Sequence, residues 1–154
     1  MSAPDTIASA LDRGLAGDTD GALALLQTVA DLGPRETAAM LSALAQTAVY
    51  KAMRDQEPGT DFGVELARAD GTPGGPEEAP PALLFSARFV AAWANRDRAT
   101  AYALFTAAWE RDALGRTNHV GDAIGIVFDM AVHAARELVD EENRQQQNDH
   151  GRTR

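Results

Sequence analysis

The chain has no cysteine. That excludes a disulfide framework and thiolate metal sites, and it fits a reducing compartment. Serine is scarce too. Ser2, Ser9, Ser42 and Ser86 are the only four, and none stands in a Gly-x-Ser-x-Gly elbow. Ser42 and Ser86 fall inside predicted helices, where a hydroxyl more often bonds back to the backbone. Long apolar runs are missing. The longest nearly apolar stretch, Ala123–Val132, is interrupted by Gly125 and Asp129 and falls short of the ~18 residues of a membrane span. The opening Met1–Asp5 has no basic patch with an apolar run behind it, so no signal peptide and no membrane partner are expected, and the chain is placed in the cytoplasm. Positive charge is in deficit, with 14 Lys and Arg against 23 Asp and Glu and a net charge of −9. The basic residues are scattered along the chain, which argues against nucleic acid as a partner. The Ala- and Arg-rich, Lys-poor usage points to a GC-rich bacterial genome.

What is present is helical. At 154 residues, 45% hydrophobic and 24% charged, the composition suits one globular domain with a core of its own. Hydrophobic residues recur at helical spacing, and Gly and Pro punctuate the pattern. Ile7, Leu11, Gly14 and Leu15 form one stripe, ended by Gly17-Asp18. Leu25, Leu26, Val29 and Leu32 form a second. It is ended by Gly33-Pro34, with Gly suited to the position after a helix and Pro to the first turn of the next. Leu41, Leu44, Ala45, Ala48, Val49 and Ala52 mark a third helix, which runs to about Arg54.

The plan then recurs. Phe85, Phe89, Ala92 and Trp93 match the first stripe, and Asn95–Asp97 matches the first turn. Ala101, Tyr102, Leu104, Phe105 and Ala108 fall where the second helix has Ala22, Leu23, Leu25, Leu26 and Val29. Gly115 breaks the chain, and Asn118 is placed to cap a last long helix with core face Val120, Ile124, Val127, Ala131, Ala134, Ala135 and Leu138. The expected fold is all-α: about six helices in two pseudo-repeated three-helix units, packed as a compact bundle or a short repeat-like stack. A single helical domain spans 1–142, with units 5–56 and 81–142 and a linker 57–80. The linker region holds most of the prolines, with a short helix expected at Phe62–Ala69 and a mobile loop at Gly71–Gly75. Residues 143–154, polar and without an apolar stripe, are expected to be a disordered tail.

One pattern is similar to a known family. Ala22-x3-Leu26-x2-Val29-x4-Pro34 resembles the second helix of tetratricopeptide repeats, and Ala101-x3-Phe105-x2-Ala108 repeats most of it. The first-helix pattern of that family is missing. The spacing is about 79 residues against the family's 34, so membership is not inferred.

Candidate chemistry concentrates in two places. The last helix carries His119, Asp122, Asp129, His133 and Glu137. Such a set could hold a divalent metal, and His119, Asp122, Asp129 and His133 are the ligands a metal-dependent enzyme or ligand-binding bundle would use. At ~100° per residue, however, Asp122, Asp129 and His133 cluster about 180° from Val120, Val127 and Leu138, the position of a solvated face. There is no His-Glu-x-x-His pair. Gly71–Gly75 has no Lys-Ser/Thr after it, and Pro73 removes an amide that a phosphate cradle would use. The carboxylate pairs Glu77-Glu78 and Glu141-Glu142 sit in polar segments and read as solubilising charge.

The second place is the aromatic set. The first half holds only Tyr50 and Phe62, whereas Phe85, Phe89, Trp93, Tyr102, Phe105, Trp109 and Phe128 lie in the second. Trp93 and Trp109 sit at the edges of their stripes, and Tyr50 lies opposite Leu41 on the polar side of its helix. Core packing is one reading; a surface for a partner is the other. The sequence therefore favours a non-enzymatic module without cofactor, binding a protein partner or a second copy of itself through Trp93, Trp109, Tyr102 and Tyr50. A metal-dependent or ligand-binding bundle and a structural subunit of a phage-like assembly remain the alternatives.

Overall fold

A helix start leaves free amides that a capping side chain can take up or that a proline at the first turn reduces in number. In a computed structural model describing residues 1–152, six α-helices follow in order among the described residues: α1 (Ala3–Leu15), α2 (Thr19–Ala30), α3 (Pro34–Asp55), α4 (Pro81–Ala94), α5 (Arg98–Ala113) and α6 (His119–Arg152). Ser2 and Asp5 close a capping box on α1. The Asp18 carboxylate accepts from the Gly21 amide at 3.0 Å to start α2, and Asp97 accepts from Thr100 at 3.1 Å to start α5. Pro34 and Pro81 open α3 and α4, where a missing N–H costs nothing.

The turns between α1 and α2 and between α4 and α5 match bond for bond. Asp18 N donates to Arg13 O and Gly17 N to Gly14 O, while Asp97 N donates to Ala92 O and Arg96 N to Trp93 O. This fixes the correspondence between the first helices one residue away from that expected from the stripes. Thr6, Ala10 and Gly14 are buried where α4 buries Phe85 and Phe89 and half-buries Trp93. Ile7, Leu11 and Leu15 are only half-buried, on the flank of the core. The same spacing relates Ala22, Leu26 and Val29 of α2 to Ala101, Phe105 and Ala108 of α5, all buried.

The pivotal residue of each turn has positive φ: Gly17 at 86° and Arg96 at 61°. Glycine adopts that conformation freely, whereas an L side chain there is strained by about 1–2 kcal/mol. Arg96→Gly is therefore expected to raise the unfolding free energy by about 1 kcal/mol, read as a shifted urea midpoint at unchanged m-value. An unchanged or lowered midpoint would show that Arg96 makes contacts worth more than the strain.

The two long helices, α3 and α6, pack most extensively against each other. They run in the same direction. Thr37, near the start of α3, shares a cleft with Val120 and Ile124, and Arg54, near its end, pairs with Glu141 at 3.2 Å. The first helix of each unit also reaches the long helix of the other, α1 against α6 and α4 against α3. Buried residues of all six helices consequently belong to one hydrophobic cluster, with Leu26, Met40, Leu41, Leu44, Phe89 and Phe128 at its centre. Each such side chain contributes roughly 1.5–3 kcal/mol through burial. The buried hydroxyls are satisfied locally: Ser86 donates to Ala82 O at 2.7 Å and Thr37 to Gly33 O at 2.7 Å.

Between α3 and α4 the chain departs from expectation. Residues 62–69 form no helix. Phe62, Val64 and Leu66 are half-buried while Asp61, Gly63 and Glu65 are exposed, the alternation of an extended segment. The Asn95 side chain grips this segment like a neighbouring strand, accepting from Phe62 N at 2.7 Å and donating to Phe62 O at 2.9 Å. Gly71–Gly75, expected as a mobile loop, forms a tight turn closed by an Ala67–Pro73 bridge. Arg68 holds it, donating to both oxygens of Glu78 at 2.7 Å and to Pro73 O at 2.6 Å. A short 3-10 turn at Pro76–Glu78 leads into α4.

The helix α6 is longer than its core-facing stripe. It continues through residues 143–152 of the tail 143–154 predicted as disordered, with every one of these side chains exposed; residues 153–154 lie outside the described residues. Glu141, predicted as solubilising charge, instead receives Arg54 and Lys51 from α3 at the point where α6 leaves the bundle.

Candidate functional site

The sequence-predicted aromatics divide between two recesses of the surface. The first is a shallow groove of about 170 Å³ between α3, α4 and α5. Phe89 and Phe105 form its floor, and Trp93 and Tyr102 its walls. Trp93 lies half-buried near the end of α4. Its indole N–H donates to Gln46 Oε1 at 2.8 Å, and the Arg98 guanidinium sits 5.4 Å from the ring centroid, in cation–π range. Tyr102 follows Arg98 by one helical turn and is 67% exposed. Tyr50 follows Gln46 by one turn on α3 and is 50% exposed. Tyr102, Trp93 and Tyr50 thus border one surface across α5, α4 and α3, with Arg98 and Gln46 between them.

Trp109 belongs elsewhere. It stacks at a tilt on Phe105, with ring centroids 5.7 Å apart, and faces a second recess of about 430 Å³ at the end of the bundle. This cleft lies where α2 and α5 end and α3 and α6 begin. Ala30, Val120 and Ile124 line it together with Gln27, Asn118 and Asp122.

Asp112, which the sequence pattern did not single out, organises this end. Its carboxylate accepts from His119 N and Val120 N at 2.8 Å each and from the Thr117 hydroxyl at 2.6 Å. It closes the start of α6 in the role expected for Asn118, whose side chain instead reaches Asp122 at 3.5 Å. Burial raises the carboxyl pKa of Asp112, but the hydrogen bonds from Thr117, Val120 and His119 outweigh burial and hold it below the usual carboxylate value of 3.8. The signal in the sequence was an Asp followed by Asn-His at the foot of a helix; only the tight turn at Gly115 brings it round.

The candidate metal ligands do not converge. Asp122 lines the cleft, His119 is half-buried beside Asp112, and Asp129 and His133 are exposed. Asp122 and His133 are three turns apart, about 16 Å along the axis. His133 pairs with Glu137 at 3.2 Å on the solvent side. Among the described residues no group of three His, Cys, Asp or Glu side chains is placed to hold a metal ion. Nor is any described helix long and apolar enough to cross a membrane.

The class defined so far is, among the described residues, an all-helical bundle of six helices with an aromatic groove on its flank and a cleft where α2 and α5 end. No protein-family model, curated protein or solved structure matches the chain. The tetratricopeptide-like run shared by α2 and α5 brings no family match with it.

Proposed function

We propose that this protein is a helical interaction module that binds a protein partner through the surface bordered by Tyr50, Trp93 and Tyr102. The observation that carries the reading is the grouping itself. Two exposed tyrosines accompany a half-buried tryptophan that has Arg98 over its indole: Tyr102 beside Trp93 in the groove, and Tyr50 one helical turn beyond Gln46, the indole's hydrogen-bond partner. Tyr, Trp and Arg are the residue types that dominate interface energetics, and a half-buried anchor beside exposed ring edges is the form such surfaces take. A helix or extended segment of a partner would lie across the end of α4 and the start of α5. The net charge of −9 favours a protein over nucleic acid as that partner. Trp109, half-buried and turned to the end of the bundle, is assigned no part in it.

The test uses the two exposed rings. Tyr50→Ala and Tyr102→Ala should each leave the unfolding free energy within about 0.5 kcal/mol of the parent, since neither ring is part of the core. A photo-crosslinker at position 46 in the native cell extract should capture a defined protein, or a second copy of this chain. The two substitutions together should weaken its binding by more than about tenfold. Val139→Ala, exposed on α6, is the reference and should change nothing. Equal capture by the double variant and the parent would remove the reading.

A further inference from the structure

The cleft at the end of the bundle differs in chemistry from the groove on the flank. Its volume, about 430 Å³, is that of a small-molecule site, and α2, α3, α5 and α6 all supply its walls. Trp109, half-buried, presents the apolar surface, with the nearly buried Val120 and Ile124 behind it. A helix start normally attracts anions through its free amides. Here those of His119 and Val120 are already taken by Asp112 at 2.8 Å each. One turn further into α6 stands Asp122, whose carboxylate accepts a single long side-chain hydrogen bond, 3.5 Å from Asn118. No Lys or Arg is among the described residues that line the cleft. An apolar wall with an indole, a closed anion site and a carboxylate with spare acceptor capacity together select for positive charge on an apolar body.

We propose that the cleft binds a small organic cation, a protonated amine on an apolar body, with the body against Trp109 and the ammonium on Asp122. The proposal is independent of the aromatic surface on the flank, and Tyr50→Ala and Tyr102→Ala leave it untouched.

The probe is phenethylamine. The chain has two tryptophans, so Trp93→Phe leaves Trp109 as the only indole reporter. Calorimetry on the parent protein runs in parallel, so that the answer does not depend on that variant folding. Phenethylamine should quench Trp109 saturably and release heat with the same midpoint. Asp122→Asn should weaken binding by about tenfold, whereas Asp129→Asn, exposed two turns along the same helix, should not. Added salt should weaken it in the parent. Phenethyl alcohol, the neutral counterpart, should bind at least about tenfold more weakly. Absence of saturable binding, equal binding of alcohol and amine, or indifference to Asp122→Asn overturns the proposal. So does a blocked tripeptide with a central lysine that binds as tightly as phenethylamine, because the cleft would then read a lysine of another protein.

Discussion

Gly14→Ala is expected to lower the unfolding free energy by about 2 kcal/mol, although alanine is the better helix former. A Cβ built on Gly14 would lie 2.6 Å from Val132 Cγ2 and 2.7 Å from Phe128 Cζ, distances at which something must move. Neither neighbour yields easily: Phe128 is 1% exposed and Val132 is short and buried against α1. Overpacking of this kind costs about 1–3 kcal/mol or more, against a helix-propensity gain of about 1 kcal/mol, so the clash wins. A larger residue such as valine should cost more still. Arg136 also reaches the Gly14 carbonyl at 3.4 Å, so a displaced α1 would loosen that contact as well.

The internal control is Gly125 on α6. A Cβ there meets nothing within 4 Å, and no positive φ requires glycine. Gly125→Ala should therefore stabilise by about 0.5–1 kcal/mol through propensity alone. Urea unfolding of the two variants side by side reads the difference directly, with a thermal separation of roughly 5–10 °C for a chain of this size. If Gly14→Ala were as stabilising as Gly125→Ala, the close approach of α1 and α6 would be wrong.

That approach marks the limit of what periodicity discloses. The helix count, the breaks at Gly17, Gly33 and Gly115 and the solvated face of α6 are local consequences of spacing, caps and glycine, and they stand in the sequence. The register of α1 does not. Ile7, Leu11 and Leu15 outrank Thr6, Ala10 and Gly14 in hydrophobicity, yet the smaller set is buried because α6 must come close and brings Phe128 with it. The volume that decides the matter lies over 100 residues away. Phe62, Val64 and Leu66 did show their period of two, but a single helical turn of pattern competes with it over so short a run. Residues 143–152 carry no apolar stripe, and disorder follows from that if a helix needs tertiary contacts. A helix already nucleated over residues 119–142 needs only propagation, and the run Arg144-Gln145-Gln146-Gln147 permits it. At the sites, residue type was legible and grouping was not. Trp93, Tyr102 and Tyr50 fall on one surface only after α3 and α5 flank α4, and Trp109 leaves them because α5 turns it to the far side of Phe105.

Asp112→Ala is expected to cost about 2 kcal/mol, more than removal of a typical helix cap. One carboxylate holds the amides of His119 and Val120 and the hydroxyl of Thr117, so its loss leaves α6 without its first two acceptors and the 114–118 turn without its clasp. Hydrogen bonds to a charged acceptor are about twice as strong as neutral ones, which sets this position above a Ser or Thr cap. The sign of its pH dependence follows from the lowered pKa. A carboxyl depressed in the folded state contributes its stability above the unfolded value, near 3.9, and loses it as pH falls through the folded value. Unfolding measured against pH should thus show the gap between parent and Asp112→Asn constant from about pH 5 upward and closing below about pH 4. A gap that stays open in acid would mean the side chain acts by packing and not by charge. The same substitution probes the end cleft from the opposite direction. With Asp112 removed, the His119 and Val120 amides open towards the recess and become an anion site, so sulfate should stabilise Asp112→Ala more than the parent, which shares only the general effect of an excluded salt. Equal stabilisation of both proteins by sulfate would show that removing the carboxylate opens no anion site at that helix start.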